Sequence, residues 1–255
     1  MALKNILNLR KINQRIIQIL GRTPPKEMPK ELFNEYTLNN QIKTDRWYFN
    51  EAGLPFPKIF FRFKKIFELI ESQKKNPTKD LTKWLFEAIE KYPIKDKMVV
   101  NIGGGPNYEC IFLNYGATNT TTIDYVKQIF LHQKMKNLTP KEYDKKPIQF
   151  DIGFSISSFE HDGLGRYGDP INPNADLEAM KKMKQMIKKQ GLLFLCVPVG
   201  KDLLVWNAHR VYGKIRLPLL LKGWRIIGSF GFEKNKLNED NRRGKYQPFF
   251  VLKNV

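Results

Sequence analysis

Residues 97–255 are predicted to form one α/β domain, a mostly parallel sheet with an antiparallel last strand, preceded by a helical cap over residues 1–96. Three observations predict it. Short apolar runs alternate with segments of helical period from Lys97 onward; the first run stops at Gly103-Gly104-Gly105; and the next, β-branched, stops at Asp124.

The elements follow in order. In residues 1–22, Leu3, Ile6, Leu7, Leu9, Ile12, Ile16, Ile17 and Leu20 recur near helical spacing, with Lys4, Arg10, Lys11 and Arg15 between them. This predicts a basic amphipathic helix, too polar for a secretory signal, that lies on an anionic membrane or packs against the protein. The proline-containing stretch TPPKEMPKE reads as a linker, and residues 31–57 as aromatic-rich and irregular. Residues 59–73 and 81–92 carry helical periodicity, with Thr78 or Asp80 as a candidate cap of the second helix. No second sheet is expected before residue 97.

Met98-Val99-Val100-Asn101-Ile102 predicts a buried strand, and residues 108–115 a helix that Gly116 terminates. Strands are expected at 120–123 and 150–157, a helix at 176–189 ended by Gln190-Gly191, and a buried strand at 192–197 closed by Pro198. Residues 224–230 and 248–252 read as two more strands. The polar stretch between them is too short and charged for a crossover helix, so this last pair is expected to be antiparallel.

Composition bounds the function. The 255 residues, 42% hydrophobic and 27% charged, suit a globular domain with an appendage. Cys110 and Cys196 sit in apolar runs and read as buried thiols of a reducing cytoplasm. His132, His161 and His209 form no metal-ligand spacing with them, so no metal is expected. No apolar run is long enough to span a bilayer. The net charge of +19 points to an anionic partner, or to lysine-rich codon usage with solvated side chains, since lysine outnumbers arginine about three to one.

Three stretches carry chemistry. In VVNIGGGPN followed by IDY, glycines at a strand's end let a ligand approach the backbone, and the next helix presents its N–H groups. One strand–helix–strand later, Asp124 stands where Rossmann-like folds hold ribose hydroxyls. Tyr108 occupies the third small-residue position of the dinucleotide fingerprint, and no Gly-Lys-Ser/Thr follows. S-adenosylmethionine, which has no phosphate, fits this pattern better than a pyrophosphate cofactor. In FDIGFSISSFEHDGLGRYGDP, a strand delivers Ser157, Glu160, His161 and Asp162 to its carboxyl end, with His161 suited to remove a proton. Glycines at 163, 165 and 168 shape a loop around Arg166, Tyr167 and Asp169, which bind an acceptor or, for Arg166 and Asp169, brace the loop as a pair. Finally, Trp206, Asn207, His209, Arg210 and Tyr212 read either as an acceptor pocket, with His209 as a second candidate base, or as buried structural groups.

The stretches SISSFEHDGLGRYGDP, LLFLCVPVG and WNAHRVYGKIRLPLLLKGW closely resemble a domain-of-unknown-function family first described from Caenorhabditis proteins and also found in bacteria. The resemblance runs over about residues 97–253. It implies a class I S-adenosylmethionine methyltransferase-like fold, with Gly103 and Gly105 in the cofactor loop, Asp124 on the ribose, and Glu160-His161 at the Glu-His position after the fourth strand. Bacterial relatives in surface-polysaccharide clusters imply a sugar, nucleotide-sugar or glycan acceptor. Two departures stand out. Asn101 occupies the cofactor-site position where methyltransferases usually carry an acid. Only 26 residues separate Asp124 from Asp151, so the third strand is expected to be short, near 136–138, with a single helical turn at 140–143.

The expected activity is O-methyl transfer from S-adenosylmethionine to a sugar or glycan, in the cytoplasm or at the inner membrane face through residues 1–20. One competing reading is a non-methylating enzyme or ligand-binding protein using His161, Asp162 and His209. Another, a nucleic-acid methyltransferase, is motivated by charge but lacks the usual motifs.

Overall fold

The computed structural model describes residues 23–52, 58–60, 67, 68, 70, 71, 74 and 80–255. The basic helix expected over residues 1–20 lies outside them, as do Gly53-Leu54-Pro55 and the candidate cap Thr78. In chain order the elements are α1 (Phe33–Thr37), β1 (Lys43–Arg46), β2 (Lys58–Phe60), α2 (Asp80–Lys91), β3 (Met98–Ile102), α3 (Pro106–Asn114), β4 (Asn119–Ile123), β5 (Gln128–Phe130), β6 (Met135–Leu138), α4 (Pro140–Lys145), β7 (Phe150–Ile156), α5 (Ala175–Met186), β8 (Ile187–Cys196), β9 (Leu203–Trp206), β10 (His209–Val211), α6 (Arg216–Leu220), β11 (Arg225–Phe230) and β12 (Phe249–Lys253).

Seven strands form the main sheet in the order β11-β12-β8-β7-β3-β4-β6. Pairings β3/β4, β4/β6, β3/β7 and β7/β8 are parallel, and β12 runs antiparallel to both neighbours, as the sequence predicts. Because side chains alternate along each strand, the sheet feeds two cores. Val99, Ile152, Phe154, Phe194 and Val251 meet Leu85 and Ile89 of α2 and Phe112 of α3 on one face. Val100, Phe150, Leu193, Leu195 and Leu252 meet Met180 and Met183 of α5 and Leu217 and Leu220 of α6 on the other. Both thiols are buried in the first core. This is the α/β, Rossmann-like arrangement expected from the sequence, and the strand order reverses direction between β3 and β7. Ligands of open α/β sheets bind at that switch point, beyond the carboxyl ends of the strands.

The expected abbreviation is present: β6 has four residues and α4 six. A capping box between Thr139 and Glu142, with Pro140 in the first turn, starts that short helix.

Three boundaries differ from expectation. The helix expected to reach residue 189 ends at Met186, and Ile187 already pairs with Phe150 in the sheet. Asn254 causes this: its amide donates to the carbonyls of Lys184 and Ile187, closing the helix from another strand's end. Gln190-Gly191 instead makes an irregularity within β8. Residues 59 and 60 lie in a strand, β2, paired with β5, so no helix begins at 59. The segment before residue 97 also contributes β1, which runs parallel to β9 in a three-stranded sheet with β10. The TPPKEMPKE stretch is pinned to the body, because Pro24 and Pro25 accept hydrogen bonds from Tyr48 and from the Trp206 indole. Among the described residues, no helix is long and apolar enough to cross a membrane.

Candidate active site

The turn after β3 builds the floor of the site. Gly103 and Gly104 have φ of +71° and +95°, a region that side chains with a Cβ rarely occupy. A Cβ on Gly103 would lie 2.7 Å from Ser158 Oγ, whereas one on Gly105 would meet nothing within 4 Å. The floor is therefore tight beneath and open above, and α3 starts from it with Pro106 in its first turn.

Asn101 does not face the opening. It is buried, and its Nδ2 donates to the Gly103 carbonyl (3.1 Å) and to Glu109 Oε1 (2.8 Å). Glu109, on α3 and fully buried, also accepts from Thr122 Oγ1 on β4. Burial pushes its carboxyl up to about 7, against the opposing effect of those two donors. The acid absent at position 101 thus arrives from the helix and ties β3, β4 and the glycine turn together. Sequence reasoning missed Glu109.

At the tip of β4, Asp124 accepts from the Val126 N–H (2.9 Å) and from Gln128 Nε2 (3.3 Å). The same Gln128 amide donates to the Gly104 carbonyl (2.8 Å), linking carboxylate and glycine turn. Gln128 was also missed; nothing in the local pattern marks it.

β7 delivers the opposite wall. Ser157, at φ +50°, donates to Glu160 Oε1 (2.6 Å). Burial pushes Glu160 up to about 7, and its Oε2 has no hydrogen-bond partner among the described residues. His161 Nδ1 lies 2.6 Å from the Ala208 carbonyl, which can only accept. That nitrogen therefore carries the proton and Nε2 is left as an acceptor, 3.6 Å from Glu160 Oε1. Burial lowers the imidazole to about 3, so the ring is neutral. Burial, reinforced by the charge of Asp169, raises Asp162 well above the usual carboxylate range.

Gly103, Gly104, Gly105, Asp124, Gln128, Ser157, His161, Asp162, Tyr167 and Asp169 all line one cavity of about 960 Å³ at the switch point. Tyr108, Tyr125, Ser158 and Lys182 add to its polar and aromatic surface, with Glu51, Phe159, Asn172 and Glu178. No group of His, Cys, Asp or Glu that could hold a metal ion occurs among the described residues.

Several expected site residues stand elsewhere. Arg166 does not pair with Asp169; it binds Glu51 (2.9 Å) and stacks over Phe49, while Asp169 accepts from the N–H groups of Gly165 and Tyr167. The acceptor-pocket reading of residues 206–212 is corrected, because all five candidates are buried away from the cavity. Trp206 donates to Pro25, Asn207 bonds the Phe49 backbone through both ends of its amide, and His209 Nε2 contacts the Arg242 carbonyl. Arg210 donates to the carbonyls of Asp162 and Pro173. Tyr212 bonds Asp176, which also receives a two-pronged bond from Arg216 (2.9 and 2.6 Å). Burial opposes ionisation of Asp176, and the Arg210 and Arg216 guanidiniums outweigh it, holding the carboxyl below its usual range. His161 and His209 face each other at 6.3 Å between ring centres, yet only His161 reaches the cavity.

Among solved structures, the chain is similar to the 1,6-didemethyltoxoflavin-N1-methyltransferase of Burkholderia thailandensis, crystallised with 1,6-didemethyltoxoflavin and S-adenosylhomocysteine. The TM-score is 0.51 at 12% identity, over 75% of this chain and 84% of that one. TehB from Haemophilus influenzae matches with a TM-score of 0.46 at 12% identity, over 72% of this chain and 65% of that one. No curated protein matches. The model of the family described as "Caenorhabditis protein of unknown function, DUF268" matches residues 96–250, more than half of the sequence, and the chain belongs to that family.

Proposed function

We propose that this protein is an S-adenosylmethionine-dependent O-methyltransferase whose acceptor is a sugar or glycan precursor. One observation carries the reading: the open glycine turn, Asp124 and the His161–Asp162 wall share a single cavity at the switch point of a methyltransferase-type sheet. The residues suit the cofactor. The Gly105 surface leaves room for a ligand, Asp124 at the tip of β4 lines the same cavity and is the residue we assign to the ribose hydroxyls, and a volume of about 960 Å³ supports binding of cofactor and acceptor together. The similar Burkholderia enzyme was crystallised with S-adenosylhomocysteine, the product the cofactor would leave, which supports the same use here.

When bound, S-adenosylmethionine supplies an electrophilic methyl group. The chain's own task is to align a hydroxyl with it and to receive the proton. His161 lines the cavity, and Ala208 fixes the tautomer that leaves its Nε2 free to accept a proton. A neutral imidazole held down at about 3 gains basicity when a negative charge stands beside Nε2, and Glu160 supplies that charge as it ionises near 7. Turnover is expected to rise from pH 6 to 8 and to lose that rise in Glu160→Gln. Tyr125, Tyr167 and the Asp162 and Asp169 carboxyls offer the stacking faces and acceptors that sugar hydroxyls use.

The test is methyl transfer from isotopically labelled S-adenosylmethionine to a panel of monosaccharides and glycan precursors. His161→Ala is expected to lower turnover about 100-fold while S-adenosylhomocysteine affinity stays within about twofold. Unchanged turnover in that variant contradicts the role given to His161.

A further inference from the structure

The chain carries +19, yet the described residues lining the cavity reverse that sign: Glu51, Asp124, Asp162, Asp169 and Glu178 stand against one ammonium, Lys182, and no arginine. Their partners differ. Lys182 is held by Asp144 (2.7 Å), outside the cavity lining, and Glu51 is engaged by Arg166. Glu178 accepts from the Asn172 amide (2.8 Å) and Asp169 from two backbone N–H groups. The Asp162 side chain accepts no hydrogen bond from any described residue, although burial strongly disfavours its charge. Behind it, Arg210 spends its guanidinium on the Asp162 and Pro173 carbonyls and lies 3.8 Å from Asp176, so it reaches the carboxylate only at a distance.

Asp162 is half-buried on the cavity wall, so its carboxyl is left to water or to a ligand that donates to it, and a donor that also brings charge gains most. A second carboxyl on the same wall, Asp169, makes a cation the donor of greatest gain. An ammonium group supplies three N–H bonds at once, and the rings of Tyr125 and Tyr167 on the same cavity present faces that attract it. A phosphate there would meet four carboxyl groups beyond Asp124 and a lysine already paired.

We infer that the end of the cavity walled by Asp162 and Asp169 is a cation subsite, which takes an acceptor bearing a protonated amine, such as an amino sugar, and rejects phosphorylated acceptors. Nucleotide-linked sugars and nucleic acids are then excluded as acceptors despite the basic surface. The inference rests on the proposed function for calling the ligand an acceptor; the charge selectivity does not depend on methyl transfer.

The experiment uses the full chain and three probes on one scaffold: glucose, glucosamine and glucose 6-phosphate, titrated calorimetrically with and without saturating S-adenosylhomocysteine. Glucosamine is expected to bind about 10-fold more tightly than glucose, and glucose 6-phosphate more weakly than either. Asp162→Asn keeps the shape, makes no hydrogen bond that its loss would break, and is expected to bring glucosamine to the level of glucose. Circular dichroism and thermal unfolding of that variant separate a lost subsite from a lost fold. Equal or absent affinity for all three probes, tighter binding of the phosphate, or an amine preference that survives Asp162→Asn overturns the inference. Failure of S-adenosylhomocysteine to bind while the amine preference persists would remove the methyltransferase reading and leave the subsite standing.

Discussion

Asn101 and Glu109 show what a residue pattern conveys and what it omits. The missing acid before the glycines is visible in the sequence. Its replacement is not, because Glu109 meets Asn101 and Thr122 only once α3 folds back over β3 and β4. By contrast, Gly103–Gly105, Asp124 and His161 are legible, since each sits at the end of an apolar run and so at the carboxyl edge of the sheet. Residues 206–212 were ambiguous for a general reason: Trp, His, Arg and Tyr compose ligand pockets and buried hydrogen-bond networks alike. Buried Glu109 also carries a pH signature. Its folded value, about 7, lies above the 4.5 of an ordinary glutamate, and Glu160 behaves in the same way. Folding takes up protons between these values, so stability is greatest at the acid end of the window and falls as pH rises through 7. Urea unfolding at pH 5 and pH 8 is expected to show that fall, on the order of 2–3 kcal/mol for each carboxyl. Glu109→Gln should lose less than the wild type over the same interval; an identical loss contradicts the assignment.

At the scale of elements, the site depends on how α5 and the 163–172 loop are anchored. The short β6–α4 unit was legible from the chain length available between Asp124 and Asp151. The early end of α5 was not, because Asn254, which closes it, lies at the far end of the chain. The Asp176 cluster fastens α5 to β10 and α6 through Arg210, Tyr212 and Arg216, all buried. Asp176→Asn leaves two guanidiniums without their counter-charge and is expected to destabilise the fold by about 3–5 kcal/mol in chemical denaturation. The loop itself turns on Gly163, at φ +78°, where a Cβ would stand 2.0 Å from the Asn172 carbonyl oxygen. Gly163→Ala should lower stability by about 1–3 kcal/mol and weaken acceptor binding more than S-adenosylhomocysteine binding, because Asp162 and Asp169 flank the turn. Equal effects on both ligands would show that the loop serves the whole cavity rather than its acceptor end.

For the whole molecule, the fold class and strand directions were readable because hydrophobic runs and turn residues repeat along the chain. The three-stranded sheet of β1, β9 and β10 was not, since β1 reads KTDR and carries no apolar alternation; its partner supplies the pattern. That added sheet and the pinned Pro24-Pro25 stretch hold residues 23–52 over the 163–168 loop, with Tyr36 donating to the Gly163 carbonyl and Glu51 gripping Arg166. The glycine turn, the His161–Asp162 wall and residues 23–52 thus meet at one opening, and the cofactor role proposed for it is testable in one binding measurement. Titration calorimetry of the full chain with S-adenosylhomocysteine addresses it most directly. The wild type is expected to bind, and Asp124→Asn to bind about 10- to 100-fold more weakly at unchanged thermal stability, as loss of charge-assisted bonds to a ribose requires. A well-folded wild type that releases no heat and gains no thermal stability with S-adenosylhomocysteine, or an Asp124→Asn variant that binds it as well, would contradict the account.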